Sequence, residues 1–313
     1  EVRVHLGGHI NTGKYPRLGD LQKEFGPTLE GNAMPAENYA DDHKLKFVKA
    51  EPNVSLFLNH HVCGVQMQGQ HIPMTKLLPA LQPSAIPPKC GPNASSTSDF
   101  APNVTENSAK CEGEMQALAA NEANKPEGNR LINRDNSIAA VIAKNVLTGE
   151  ELRFEAPLFA DCTGDGTVGF LAGAHYCMGR EAQSAFHEDL APQQADSMTL
   201  GVSMQWRAEK AQHAVPFAHF DYGIGINRHT CEPVFKGEWT WETGLWRHKI
   251  NEIEAIRDYG LAVIYANWSF LKHAYQGRKS YEKWRLAWVG YVAGKRESRR
   301  LLGDYVLSEQ DIM

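Results

Sequence analysis

The chain has 313 residues, of which 42% are hydrophobic, 22% charged and 9% aromatic. This composition excludes a disordered chain, a fibrous repeat and a small disulfide-bonded scaffold, and the length allows one large domain or two ordinary ones. The formal net charge of −5 provides no general attraction to nucleic acid or to an anionic membrane, and no run approaches the ~20 apolar residues of a membrane helix. We therefore predict a soluble globular protein with no nucleic-acid or membrane partner.

The first part of the sequence predicts a strand, a helix and two short β-rich runs. Apolar residues occupy every second position over 1–6, which is typical of a strand. A helical pattern follows over about 36–49, and the β-rich runs cover 54–58 and 61–67. Because the first residues already lie inside a strand-like run, and because the last ones carry no helix stop signal, we expect the sequence to be a segment of a longer protein.

The middle of the sequence alternates between irregular and regular patterns. Residues 69–136 are rich in Pro, Ser, Asn and Gly, and we predict that they form a loop-rich insertion. A hairpin follows over 138–146 and 151–155, and a short apolar run over 157–162 indicates a buried strand. A glycine-rich turn at 163–166 then leads into a predicted helix. This succession of strand, turn and helix is the arrangement that α/β proteins use at ligand sites.

The last third predicts a mostly helical, tryptophan-rich region. Apolar residues follow the helical period over 250–271, and a second helix-like stretch with several aromatic residues begins at Trp284 and ends in the basic run 295–300. Trp239, Trp241 and Trp246 either pack in a core, which is the interpretation we favour, or line a sugar-binding surface. The whole pattern predicts an α/β protein.

The turn Thr163-Gly164-Asp165-Gly166 has the chemistry of a polar ligand site. Its glycines allow a ligand to approach the backbone, and the amide groups at the start of a helix suit a polar or anionic group. The Asp165 carboxylate only accepts hydrogen bonds when it is ionised, so it suits a hydroxyl group better than a phosphate. The alternative is an ordinary turn between a strand and a helix.

Four segments, in order, resemble a family of FAD-dependent oxidoreductases, which are flavoproteins with two dinucleotide-binding domains. The run over 158–174 resembles the family's D-x-T-G-D-G…L-A-G-A segment. Residues 1–5 resemble the segment after the first FAD motif, 53–65 the second hairpin of the FAD domain, and 294–305 the K-R-E-S-R-R…G-D-Y segment. The resemblance implies that a complete enzyme of the family also has an N-terminal unit with the first G-x-G-x-x-G motif and a C-terminal part that contacts the flavin, and we expect both to lie outside this segment.

The resemblance implies the fold, the cofactor and the reaction. It implies an incomplete FAD/NAD(P)-binding Rossmann-like domain over 1–68 and 137–180, and a substrate-side region with long helices over 181–313. FAD would be the cofactor, and hydride would pass from a small organic substrate to the bound flavin. Two alternatives stay open, namely a carbohydrate-active lyase or hydrolase and a non-catalytic binding protein on a flavoprotein scaffold.

The resemblance also implies site residues. The cofactor would contact Val62, Thr163, Gly164, Asp165 and Gly166. Arg3 and His5 lie on the same side of an alternating strand and are candidate catalytic residues; the alternative is that both are surface residues of that strand.

Two further groups of residues bear on ligand chemistry. Arg296, Arg299 or Arg300 would bind an anionic group of substrate or cofactor in a bidentate way; the alternative is that this basic run is a solvated helix end. His9, His60 and His61 have no metal-ligand spacing with a carboxylate, so we expect no metal site.

Overall fold

The computed structural model describes residues 40–69, 137–238 and 241–311, and these residues fall into two compact units. One, here called the helix unit, combines Leu200–Glu297 with the described residues up to Leu56. The other, here called the hairpin unit, combines the described residues of Phe57–Thr199 with those from Ser298 onward. The chain therefore passes from the helix unit to the hairpin unit, back to the helix unit, and again to the hairpin unit.

An antiparallel three-stranded sheet forms the centre of the hairpin unit. Its strands are β1 (His60–Met67), β2 (Ile138–Asn145) and β3 (Glu151–Phe154), in that order. The turn between β2 and β3 is fixed by the Asn145 side chain, whose Oδ1 accepts hydrogen bonds from the amides of Leu147 and Thr148. Because side chains alternate along a strand, one face of the sheet buries Val65 and Val141 against Val168.

Short elements complete the hairpin unit. They are α2 (Thr167–Leu171), β4 (Tyr176–Cys177), α3 (Gln183–Phe186), β10 (Arg300–Leu301) and a 3-10 turn at Glu309–Asp311. β10 pairs antiparallel with β4, so Arg300 lies opposite Cys177 and Leu301 lies opposite Tyr176. This pairing joins residues 300–301 to the segment that follows the glycine-rich turn.

The helix unit is built around one long helix. It contains α1 (Asp41–Ala50), β5 (Val202–Ser203), β6 (Trp206–Lys210), β7 (Lys236–Gly237), β8 (Glu242–Thr243), the 21-residue helix α4 (Ile253–His273), a 3-10 turn at Arg278–Tyr281 and β9 (Trp284–Val289). The strands form the sheets β7-β6-β9 and β5-β8. The helix α4 buries an apolar stripe that includes Ile264, Trp268 and Leu271.

Aromatic residues fill the core of the helix unit. Trp206 stacks on Trp241 with ring centroids 6.5 Å apart and meets Trp268 edge-on at 5.8 Å. Trp206 and Trp268 are almost completely buried, whereas Trp246 is half exposed. Core packing therefore accounts for Trp241, as we favoured, and Trp239 lies outside the described residues.

The structure confirms several predicted elements. The helix predicted over 36–49 begins at Asp41 and ends at Ala50, and the first four of those residues lie outside the described part of the chain. The strands predicted over 61–67, 138–146 and 151–155 are β1, β2 and β3. The helix predicted over 250–271 is α4.

Two predicted strands are wrong. Residues 54–58 form no strand, and the chain instead turns at Asn59, whose φ of 60° is left-handed, before β1 begins. Residues 157–162 also form no strand, and Leu158 is 86% exposed. The reason is the same at both places: an apolar run becomes a buried strand only beside a partner strand, and no strand among the described residues pairs with either segment.

The second helix predicted in the last third is also wrong. The residues from Trp284 to Val289 form strand β9, which pairs with β6, and their burial alternates along most of the strand. Bulky apolar residues at every second position, here Trp284, Leu286 and Trp288, favour a half-buried strand, and that pattern outweighs the helical spacing. The described part of 181–313 therefore holds one long helix and several strands rather than a mostly helical layer. None of the helices in the described ranges combines the length and the apolar character that crossing a membrane requires.

Candidate functional site

The Asp161 carboxylate holds the glycine-rich turn in place. Its Oδ1 accepts hydrogen bonds from the Thr163 amide at 3.1 Å and from the Thr163 hydroxyl at 2.7 Å. Its Oδ2 accepts from the Gly169 amide in α2 at 3.0 Å. One carboxylate thus connects the start of the turn to the helix that follows it.

The same hydrogen bonds determine the protonation of Asp161. Partial burial, the largest single contribution, acts to raise the pKa of this carboxyl. The hydrogen bonds from Thr163 and Gly169 together outweigh burial, because they stabilise the ionised form, and the pKa of Asp161 lies below its ordinary value. Asp161 therefore accepts these hydrogen bonds as a carboxylate anion.

Gly164 is the exposed point of the turn. Its φ is +82°, and a Cβ added there would meet no atom within 4 Å, so open space lies beside its backbone. The hydroxyl of the neighbouring Thr163 is turned inward, since it donates to Asp161 and accepts from the Thr167 amide at 2.9 Å. No hydrogen bond from the described residues engages the Gly164 amide. The turn thus presents backbone rather than side chains on its open side.

Asp165 and Gly166 face the returning segment of the chain. The Ser298 hydroxyl donates to Asp165 Oδ1 at 2.6 Å, and Ser298 is only 3% exposed. Gly166 has a left-handed φ of +59°, and a Cβ there would lie 3.0 Å from Leu301 Cγ. Both residues therefore have a packing role toward 298–301.

Val62 lies on the neighbouring strand. It is part of β1, at a bulge where the register shifts between Val62 and Gly64. It packs in the cluster that contains Val168 of α2, so the strand and the helix that begins after the turn share one apolar core. The structure thus gathers Val62 and 163–166 within the hairpin unit.

The three arginines of the basic run have different surroundings. Arg296, in the helix unit, forms an ion pair with Glu242. Arg300 forms an ion pair with Glu181 at 2.6 Å and donates to the Gly179 carbonyl at 2.8 Å. The basic run 295–300 is not the end of a helix, because none of its residues is helical and Arg300 begins strand β10.

Arg299 lies against the glycine-rich turn. Its guanidinium carbon is 3.8 Å from the centroid of the Phe170 ring, and its Nη1 donates to the Asp165 carbonyl at 3.3 Å. Its Nε is buried without a hydrogen-bond partner. Arg299 is therefore held by ring stacking and one long hydrogen bond, and it retains donors for a further acceptor.

The remaining candidates have a simpler outcome. Arg3 and His5 lie outside the described residues. Across 40–69, 137–238 and 241–311 there is no group of three or more His, Cys, Asp or Glu side chains that could hold a metal ion.

Sequence reasoning missed the positioning roles of Asp161 and Ser298. Asp161 had a detectable signal, because an Asp two residues before a Thr in a turn often accepts that residue's amide proton. Ser298 had none, since its partner lies 133 residues away in the sequence.

Comparison with known proteins agrees with the geometry of the turn. A family model described as FAD dependent oxidoreductase matches residues 123–313, which include the turn, α2 and the returning segment. No curated protein and no solved structure matches the chain. The matched region covers more than half of the sequence, and the chain therefore belongs to the FAD-dependent oxidoreductase family.

Proposed function

We propose that the protein oxidises a small organic molecule by hydride transfer from a C–H or C–N bond to bound FAD. The observation that carries this proposal is the open backbone of Gly164 on a turn that the ionised Asp161 holds rigid. A large polar cofactor needs a surface that its edge can approach without meeting side chains, and a glycine with open space beside it provides one. The turn therefore fits the flavin cofactor on which the family depends.

The residues of the hairpin unit have distinct roles in this proposal. The backbone of Thr163 and Gly164 lies against the cofactor, and the backbone of Val62 on β1 extends the same surface. Asp165 and Gly166 support that surface through their contacts with Ser298 and Leu301. Bound FAD supplies an acceptor for two electrons and a proton, and the protein supplies orientation and charge.

Arg299 is the residue we propose for an anionic group. Arg296 and Arg300 each have a carboxylate partner, whereas the described residues offer Arg299 only the ring faces of Phe170 and Tyr176 and a backbone carbonyl. A planar guanidinium beside the turn suits a cofactor phosphate or a substrate carboxylate.

The first experiment is a visible absorption spectrum of the purified full-length protein, with the heat-released cofactor identified by mass. We expect flavin bands and released FAD. We then expect a substrate from a panel of alcohols, amines and sugars to bleach the flavin bands anaerobically, with slower bleaching when the transferred hydrogen is replaced by deuterium. A folded protein that stays colourless and takes up no added FAD would contradict the cofactor site.

The same experiment separates the alternatives. A protein that binds FAD but is not reduced by any substrate, and that is also not reoxidised after chemical reduction, would be a binding protein on a flavoprotein scaffold. The carbohydrate alternative loses one of its supports, because Trp241 packs on Trp206 in the core.

A further inference from the structure

A cleft of about 460 Å³ in the helix unit has the character of a second ligand site. Its lining consists of residues 214–217, of Lys272 and His273 at the end of α4, and of Arg278, Lys279 and Glu282. We propose that this cleft binds a small organic oxyanion, a carboxylate or a phosphate ester, whose apolar body packs against 214–217. Neither the family match nor the proposed flavin site accounts for the cleft.

The charge of the lining favours an anion. Lys272, Arg278 and Lys279 are cationic, and Glu282 is the one carboxylate among the lining residues, so the cleft is positive in a chain whose net charge is −5. A positive concave surface attracts anionic ligands more strongly than an exposed cation on a convex surface does. The remaining wall is apolar, with Val215, Pro216 and Phe217.

Lys272 shapes the cleft but does not bind the ligand. Its ammonium donates to the carbonyls of Val215 at 2.7 Å, Tyr281 at 2.8 Å and Glu282 at 3.1 Å. An ammonium has three protons, and these three acceptors use all of them. Lys272 thus connects Val215 on one side, and Tyr281 and Glu282 on the other, to the end of α4. His273 adds a contact of 2.9 Å between its Nε2 and the Phe217 carbonyl.

Arg278 is the residue left to bind an anion. Within the described ranges, each of the other arginines has a hydrogen bond or an ion pair through its side chain, and Arg278 has neither. Its guanidinium offers two parallel N–H groups, which match the spacing of two carboxylate or phosphate oxygens. Lys279 adds a second charge beside it.

The test is calorimetric titration of the full-length protein with benzoate, phenyl phosphate and acetate. Benzoate and phenyl phosphate carry the same apolar ring on different oxyanions, so they distinguish a carboxylate site from a phosphate site, and acetate carries almost no apolar body. We expect saturable binding of at least one aromatic anion, with acetate binding more weakly. Arg278→Gln should weaken that binding about tenfold, and Arg278→Lys by less, because it keeps the charge but loses the planar fork.

Lys236→Gln is the matched control, because it removes an exposed cation elsewhere in the same unit, where Lys236 pairs with Glu238. We expect it to leave the affinity unchanged. The proposal is overturned if no anion binds saturably, if Arg278→Gln has no effect, if Lys236→Gln has the same effect, or if acetate binds as tightly as the aromatic anions. These outcomes are independent of FAD content, so they leave the proposed flavin site untouched.

Discussion

The hydroxyl of Ser298 donates a hydrogen bond of 2.6 Å to the carboxylate of Asp165, which lies 133 residues earlier in the chain. This contact fixes the second half of the glycine-rich turn, while Asp161, just before the turn, fixes the first half. The two anchors have different origins, one local and one distant. Each can be removed by a single substitution, and their effects can be measured separately.

Ser298→Ala should lower the free energy of unfolding by about 2 kcal/mol, because a buried hydroxyl that donates a hydrogen bond to the Asp165 carboxylate is lost. Urea denaturation at neutral pH measures the change. Ser280→Ala is the control, since Ser280 is exposed and makes only backbone hydrogen bonds. Equal stabilities of the two variants would show that the contact with Asp165 adds nothing.

Asp161→Asn should destabilise the protein by roughly 2 kcal/mol at pH 7, because the amide group then directs a donor toward the Gly169 or Thr163 amide. The folded pKa of Asp161 is depressed, so its stabilising effect is present above the ordinary aspartate pKa and disappears as the pH falls through the folded value. The difference between wild type and variant should therefore shrink in acid.

Unfolding curves measured from about pH 7 to about pH 2 test this dependence, because this range includes the ordinary pKa values of carboxyl groups. Asp189→Asn, at an exposed position in the same unit, should show no such change. If the difference in free energy of unfolding between wild type and Asp161→Asn stays constant across the pH series, the stabilising role of the ionised Asp161 carboxylate is contradicted.

Gly164→Ala should weaken FAD binding. An added Cβ would occupy the open side of the turn, and the left-handed φ of +82° would cost about 1 kcal/mol in stability. Gly173→Ala is the matched control, because Gly173 has a φ of +79° and equally open surroundings. We expect both variants to lose similar stability and only Gly164→Ala to lose FAD in equilibrium dialysis. Equal FAD retention by both would place the cofactor elsewhere.

Lys249→Met should remove a rise in stability at alkaline pH. Lys249 is fully buried in the helix unit, and burial lowers its pKa from 10.5 to about 8 despite the opposing effect of Glu297 and Glu252. Between these values the unfolded chain keeps the proton that the folded chain has lost, so the free energy of unfolding of the wild type increases with pH. The full increase is roughly 3 kcal/mol.

Denaturation curves of wild type and Lys249→Met from about pH 7 to pH 10.5 measure this effect. The variant should lack the increase, and Lys210→Met, at an exposed lysine of the same unit, should keep it. Parallel pH profiles for wild type and Lys249→Met would mean that Lys249 titrates normally.

Gly237→Ala should be among the most destabilising of the glycine substitutions. A Cβ at this position would overlap the indole ring of Trp206, which is 1% exposed and locked in the aromatic core, so the core must rearrange at a cost of about 3 kcal/mol. Gly223→Ala, with a φ of +71° and open surroundings, should cost only about 1 kcal/mol. Thermal unfolding of the two variants compares them directly.

Local patterns predicted the elements whose neighbours are close in sequence. The hairpin of β2 and β3 was predictable because Asn145 and Gly149 specify its turn, and α4 because its apolar period extends over 21 residues. The run at 157–162 was not, because its apolar character indicates a buried strand only if a partner strand is present. Strand β9 was misread as a helix because aromatic residues satisfy both periods over so short a stretch.

The candidate site was predictable only in part, for a similar reason. The glycines and acidic residues of 163–166 are visible in the sequence and have the chemistry of a ligand turn. What they contact is decided by residues far along the chain: Ser298 holds Asp165, Leu301 covers Gly166, and Arg299 stacks on Phe170. Sequence alone suggested an anion-binding role for Arg296, Arg299 or Arg300 without distinguishing them, whereas the structure gives each arginine its own partners.

The pairing of β10 with β4 makes the hairpin unit discontinuous in the chain, and this has a consequence for its synthesis. During translation, the glycine-rich turn leaves the ribosome long before Ser298 and Leu301 are made. Asp161 can hold the first half of the turn at once, but Asp165 and Gly166 must wait until the helix unit has been synthesised. A nascent chain arrested before Ser298 would therefore carry a turn with only its local anchor, and the proposed cofactor surface would be completed only after residues 298–301 had emerged.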